Sequence, residues 1–273
     1  MALTRFTENG LYTLCRHLEI KILNLYYGSY TRCFKVSHPC YRLVFVFESD
    51  GKSFFGDSVK DVPCIAGRWY LLPPFCEVTH VVNDSMKHLS IHFSASIEEA
   101  LLLTPSSNTF YFADDHKECD IVKKHLAEHS ELSQALFFYE LCNRILAHVI
   151  TPEDSRRVME FLHVPGYAGL LQYLSLHATA AVTLKKMAEL SLLSPNAFVK
   201  RFTRDAGMPP GKFLARLLTA RAASLLTEKR KSVKETAALL EFSTPFVFSR
   251  FFRRQTGTSP REFQKKFDSA GAL

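Results

Sequence analysis

Residues 184–213, LKKMAELSLLSPNAFVKRFTRDAGMPPGKF, and residues 233–263, VKETAALLEFSTPFVFSRFFRRQTGTSPREF, are two copies of one pattern. With one extra residue allowed after Ser243, the pairs are Ala188/Ala237, Ser194/Ser243, Phe198/Phe248, Phe202/Phe252, Arg204/Arg254, Gly207/Gly257, Pro210/Pro260 and Phe213/Phe263. Matches kept in this order mark an internal repeat. Each copy reads as a short helix (184–190, then 233–240), a turn, and a second helix. Ser194 and Ser243 stand where an N-cap is wanted, since a side-chain oxygen there accepts from backbone N–H groups that have no helical partner. Phe198/Phe202 and Phe248/Phe252, at i,i+4, share a buried face. Gly207 and Gly257 fill the position just past the helix, and Pro210 and Pro260 stop its continuation. Helix, short turn, helix predicts a helix-turn-helix unit.

The second helix of each copy is basic on its outer face. Asn196, Lys200 and Arg204 line up in the first, and Phe246, Arg250 and Arg253/Arg254 in the second. A recognition helix needs this division, with aromatics inward, donors outward and a free N-terminal end to enter the major groove. Between the copies, LARLLTARAASLLTE (214–228) has a strong helical period, long enough to hold the two units rigidly apart. Charge follows the same division. Residues 160–273 carry 18 Lys+Arg against 8 Asp+Glu, a balance of +10, whereas residues 1–159 carry 16 against 19, a balance of −3. A basic back half suits a partner made of phosphates. The bland alternative is a solvated basic face, which charge alone does not exclude.

The front half has another period. YRLVFVFE (41–48), SFF (53–55), RWYLLPP (68–74), EVTHVVN (77–83) and KHLSIHFS (87–94) are short β-rich runs. Turn residues such as Ser49-Asp50-Gly51, Gly67, Pro73-Pro74 and Asn83-Asp84 separate them, which predicts an antiparallel sandwich or barrel. In the last run His88, Ser90 and His92 share one face, and Leu89, Ile91 and Phe93 the other. After Pro105 the period becomes helical over 119–129 and 132–150. A stripe of Leu132, Leu136, Tyr139, Asn143 and Leu146 on the second helix predicts either a cap over the β core or a dimer seam. Residues 151–167 read as a linker with one short helix, dividing a domain of residues 1–150 from one of residues 168–273.

The chain has 273 residues and 22% charged residues, a globular composition with apolar runs too short for a transmembrane helix. Its start lacks the pattern of a secretory signal. Seven Cys, an odd number with no pair at CxxC spacing, argue for reduced buried thiols and a cytoplasmic protein.

The repeat, the joining helix with Arg221-Ala222-x-x-Leu225-Leu226, and the closing Gly257-x-Ser259-Pro260-x-x-Phe263 together resemble the AraC/XylS family of transcription regulators. The resemblance covers roughly residues 168–267. It is fainter in the front half, where YRLVFVFE and the LLPP turn look like the cupin-type sensor barrel of many members. The fold class it implies is α+β: an N-terminal antiparallel cupin-like β-barrel with flanking helices, then an all-α domain of two helix-turn-helix units. The function it implies is sequence-specific regulation, as an activator, by a homodimer that binds double-stranded DNA, responds to a small effector such as a sugar, and contacts RNA polymerase.

Residue by residue, the resemblance implies base contacts from Asn196, Val199 and Lys200 and from Phe246, Ser249 and Arg250. Arg250 suits a guanine, whose O6 and N7 its fork bonds together, and Asn196 suits an adenine. Ser194, Arg204, Ser243, Arg253 and Arg254 are the expected phosphate contacts, which set register without reading sequence. For the effector pocket the candidates are Trp69, His80, His88, Ser90 and His92. The His-x-His and Glu cluster of metal cupins is missing, so no metal and no cofactor is expected. The family favours glycine in each helix-turn-helix turn, where this chain has Leu192 and Glu241. The rival reading is a metal-dependent cupin enzyme with a helical adaptor.

Overall fold

The computed structural model describes residues 16–57, 60–105, 109–128 and 130–268. Its front half holds the strands β1 (Leu18–Gly28), β2 (Arg32–Ser37), β3 (Tyr41–Glu48), β4 (Phe54–Gly56), β5 (Asp61–Pro63), β6 (Arg68–Leu72), β7 (Glu77–Val82), β8 (Lys87–Ile97), β9 (Leu101–Leu102) and β10 (Tyr111–Asp114). One sheet runs β1-β8-β3-β6-β10, with β9 on β8, and the other runs β2-β7-β4-β5. Every pairing is antiparallel.

The expected barrel is therefore corrected to two open sheets. In-and-out alternation is the same in a sandwich and a barrel, and only edge pairing tells them apart. Five strands also lie where no run was expected: β1, β2, β5, β9 and β10. β1, LEIKILNLYYG, alternates but is interrupted by a register shift between Ile22 and Asn24. β10 adds an edge beside β6, beyond Pro105.

Alternation gives the larger sheet two different faces. Leu43, Phe45, Trp69, Leu71, Leu89, Ile91 and Phe93 point to one side. There they meet Phe138, Leu141, Cys142 and Ile145 of α2 (Glu131–Val149), which lies beside α1 (His116–Glu128). Arg144 clasps Glu118 with two hydrogen bonds of 2.8 and 2.9 Å, tying α2 to α1. On the other side Val44, Val46, Tyr70 and Leu72 meet Phe55, Val62, Val78 and Val82 of the smaller sheet. Each such side chain contributes ~1.5–3 kcal/mol on full burial, so both faces are fixed by packing.

The linker folds as α3 (Pro152–Leu162), started by a reciprocal Thr151–Asp154 capping box. Its Phe161 enters the core of the back half, so the segment is part of that packing rather than a free tether. There follow α4 (Tyr167–His177), α5 (Leu184–Leu190), α6 (Pro195–Ala206), α7 (Pro210–Thr227), α8 (Val233–Leu239), α9 (Pro245–Thr256) and α10 (Pro260–Asp268). Phe202 meets Phe213 edge-on with centroids 5.2 Å apart and rings at 78°, and Phe252 meets Phe263 at the same 5.2 Å and 78°. The repeat read from the sequence is thus a repeat of packing. Arg221 of α7 donates to Ala178 O at 3.0 Å and to Ser175 O, closing the last carbonyls of α4.

Candidate nucleic-acid interface

Each helix-turn-helix is built by the same local chemistry. The first helix ends in a Schellman closure, Leu193 N–H to Ala188 O at 3.0 Å and Phe242 N–H to Ala237 O at 2.9 Å. That closure requires a left-handed residue just before the donor. Leu192 and Glu241 supply it at φ 57° and 55°, a conformation that costs a side-chain-bearing residue ~1–2 kcal/mol. The turn geometry wins because the buried faces of the paired helices leave it no alternative. Each recognition helix ends at a left-handed glycine, Gly207 at φ 67° and Gly257 at φ 78°, as its position predicts.

The caps correct one residue. Ser194 accepts from Ala197 N–H at 3.4 Å, but in the second unit the cap is Thr244, which accepts from Val247 N–H at 3.1 Å. Proline follows each cap at the first helical position, Pro195 and Pro245. Ser243 is itself the inserted residue, one place outside the helix. The N-cap position expected of Ser243 is filled by Thr244.

On α6, Asn196, Lys200 and Arg204 are exposed and Val199 is half-buried. Arg204 is held at 2.8 Å by its neighbour Asp205, which also lies 3.6 Å from Arg201. On α9, Arg250, Arg253 and Arg254 are exposed, and Phe246 is 69% exposed. The Arg250 guanidinium sits 5.9 Å over the Phe246 ring, a cation–π contact that orients the donor fork. Ser249 is half-buried and donates to Pro245 O at 2.7 Å, leaving its oxygen as an acceptor. Val247 is 44% exposed beside Phe246. The sequence reading passed over it, although it stands on the first turn of the helix, where an apolar group can meet a thymine methyl. The structure therefore gathers the expected base contacts on the outer, N-terminal parts of α6 and α9.

The sensor candidates are not gathered in the same way. Trp69 is buried against the helical layer, on the opposite face of the sheet from His88, Ser90 and His92. The alternation of β6 sends Trp69 outward with Phe45, while Tyr70 faces the second sheet. Of the others, His80 lies 2.8 Å from the Arg42 guanidinium, and its ring meets Phe55 at 4.5 Å. His88 is buried between Tyr26 and Tyr30, at 5.4 and 5.2 Å, and burial pushes it down to about 4. Ser90 is buried beside Val44. Burial, with the charge of Arg42, pushes His92 down to about 3. A cleft of about 610 Å³ lies elsewhere, between the two halves of the chain. Lys21, Leu23, Glu99, Leu176, Arg221 and Leu225 are among its walls. No helix among the described residues is long and apolar enough to cross a membrane.

Comparison with known proteins bears on this geometry. Residues 187–266 match the family model described as a helix-turn-helix domain. The chain is 31% identical over 90 residues to the HTH-type transcriptional regulator Rv1931c of Mycobacterium tuberculosis, covering 33% of this chain and 35% of that protein. It is 27% identical over 196 residues to the probable transcriptional regulator LumQ of Photobacterium leiognathi, covering 71% and 68%. It is also 31% identical over 101 residues to the HTH-type transcriptional activator RhaS of Escherichia fergusonii, covering 37% and 36%. The match thus spans about a third of the first and third relatives and about two thirds of LumQ. These relatives are described as transcription regulators. A crystal structure of ToxT from Vibrio cholerae with an unsaturated fatty acid bound shares the fold over 94% of this chain and 98% of that one, at a TM-score of 0.59 and 10% identity.

Proposed function

We propose, from the premise that this chain carries the DNA-binding domain of the AraC/XylS family of regulators, that it is a sequence-specific, DNA-binding transcription regulator. One observation carries the reading. Two helix-turn-helix units, closed by the same hydrogen bonds and packed on the same pair of phenylalanines, turn a basic helix outward with its N-terminal turn exposed. Asn196, Val199 and Lys200 of α6, and Phe246, Val247, Ser249 and Arg250 of α9, read bases. Ser194, Arg204, Thr244, Arg253 and Arg254 hold phosphates. The two units read one face of the duplex about one helical turn, ~34 Å, apart.

The remaining parts of the reading follow from the front half. Leu132, Leu136, Tyr139 and Asn143 form an exposed stripe on α2, and a second copy of the chain covers it in a homodimer. The effector binds in the cleft between the halves, whose walls mix apolar side chains with Lys21, Arg221 and Glu99. Such walls suit a molecule with both a hydrocarbon part and a charged group better than they suit a sugar, and the fatty acid in the ToxT crystal is of that kind. RNA polymerase is the protein partner when the regulator activates, in the cytoplasm.

Fluorescence anisotropy on a duplex pool across a salt series tests the central reading. Phosphate neutralisation makes the logarithm of affinity fall linearly with the logarithm of salt, at about −0.9 per phosphate contacted. Arg253→Ala should lower that slope by about 1 and weaken all sequences alike. Duplex binding that is absent, or that ignores salt, would contradict the reading.

A further inference from the structure

We infer that His38, Cys40 and His92 form a binding site for a soft d10 cation, Zn(II) or Cu(I), at the joint between the β-sandwich and the last helix. Each offers one ligand atom, and the three atoms lie within 4.8 Å of one another. The sequence hides the cluster, because His92 lies far along the chain from the His38-Pro39-Cys40 turn. The fold makes it. That turn links β2 to β3 and is held by Phe75 N–H donating to His38 O at 2.7 Å. The β3–β8 register then sets Arg42 against His92 and Tyr41 against Phe93, which brings the His92 ring to 5.4 Å from that of His38. His38 and Cys40 are buried and His92 half-buried.

The donor set selects the class of ion. Two imidazoles and a thiol, with no carboxylate among them, do not suit Mg(II) or Ca(II), and they match the ligands of Zn(II) and Cu(I). Ligand bonds of about 2.0–2.3 Å bring donors on one ion to within ~4 Å of each other, so the cluster closes with side-chain shifts of about 1 Å. Arg42, buried beside Cys40 and His92, adds a positive charge. Burial pushes the Cys40 thiol up to about 12 and Arg42 only opposes that rise, so the proton leaves as the ion binds; Arg42 also penalises any ion whose charge the thiolate does not offset.

The location gives the site a consequence. The His38 ring also lies 5.7 Å from Phe263 of α10, which packs on Phe252 of the second recognition helix. An ion that fixes His38 therefore bears on how the second reading unit is seated. That regulatory sense rests on the proposed DNA-binding function. The metal site itself does not, and it is tested without DNA.

The experiment uses the full-length, reduced, metal-free chain. Co(II), as a probe for Zn(II), is titrated in and displaced by Zn(II). Cu(I) is titrated separately against a competing chelator, so the two arms tell the ions apart. The expected result is one equivalent of ion. With Co(II) it brings a sulfur-to-metal charge-transfer band, which is lost in Cys40→Ser and kept in Cys33→Ser. His38→Gln and His92→Gln should each weaken binding at least by the ~10–100-fold that loss of an outer-shell partner costs. X-ray absorption of the loaded wild type should read one sulfur and two imidazoles, which depends on no variant folding. Failure of all three ions to bind stoichiometrically, absence of a sulfur ligand, or undiminished binding by Cys40→Ser would each overturn the site.

Discussion

Leu192 and Glu241 hold left-handed backbone with side chains attached, at matching places in the two units. Leu192 is 82% exposed, so its side chain adds little packing to set against the strain. Leu192→Gly should therefore raise stability by ~1 kcal/mol, read as a higher midpoint in urea, while Leu192→Ala should not. Glu241→Gly should gain less, because Glu241 accepts from Thr179 Oγ1 at 2.8 Å. A second residue-scale effect concerns acid. The buried His88 titrates at about 4, below its ordinary 6.5, because burial disfavours its charged form; only the Met86 carbonyl opposes this. As pH falls below 6.5 the unfolded chain takes up this proton first. Stability that is complete above pH 6.5 is then lost down to about pH 4, with a slope of up to ~1.4 kcal/mol per pH unit from this histidine. Denaturant melts of His88→Gln should show a shallower acid slope than wild type. An unchanged slope would assign the loss to other groups.

At the scale of elements, α2 carries two faces with different fates. Phe138, Leu141, Cys142, Ile145 and Val149 cap the larger sheet, and Leu146 is buried with them, so the stripe read from the sequence divides between the core and the outer face. Leu132 and Leu136 remain 72% and 64% exposed, and Tyr139 41%. Like charges placed in a shared seam cost several kcal/mol, so Leu132→Glu with Leu136→Glu should raise a dimer dissociation constant ~100-fold in sedimentation while leaving the monomer folded. A wild-type chain that stays monomeric would remove the seam. The helices were legible because 3.6-residue periods, caps and glycine stops are local signals, and both units stand where those signals put them. The closure of the sheets was not legible, since it depends on which edges pair. Nor was Trp69, whose side of the sheet is set by the register of β6 against β3, or the cap at Thr244, because a gap in a repeat slides freely until the proline fixes it.

For the whole molecule, the two halves meet in ways that sequence period does not encode. Phe161 of the supposed linker packs in the back core, Arg216 lies 4.9 Å over the ring of Phe75, and the last helix touches the turn at His38. An effector or ion between the halves therefore has something to move, whereas one enclosed in the sandwich would act through the sheet alone. The charge division of the sequence, neutral in front and basic behind, follows the division between the β-sandwich and the helical half. The claim on which all of this depends is that both outward helices read DNA bases. It is tested by selecting bound duplexes from a random pool with wild type and Arg250→Ala side by side, at low and moderate salt. The prediction is a motif of two blocks about one helical turn (~10 bp) apart, in which the variant loses information from one block only. Contradiction would be wild-type selection, repeated with a fatty acid added, that enriches no sequence above background.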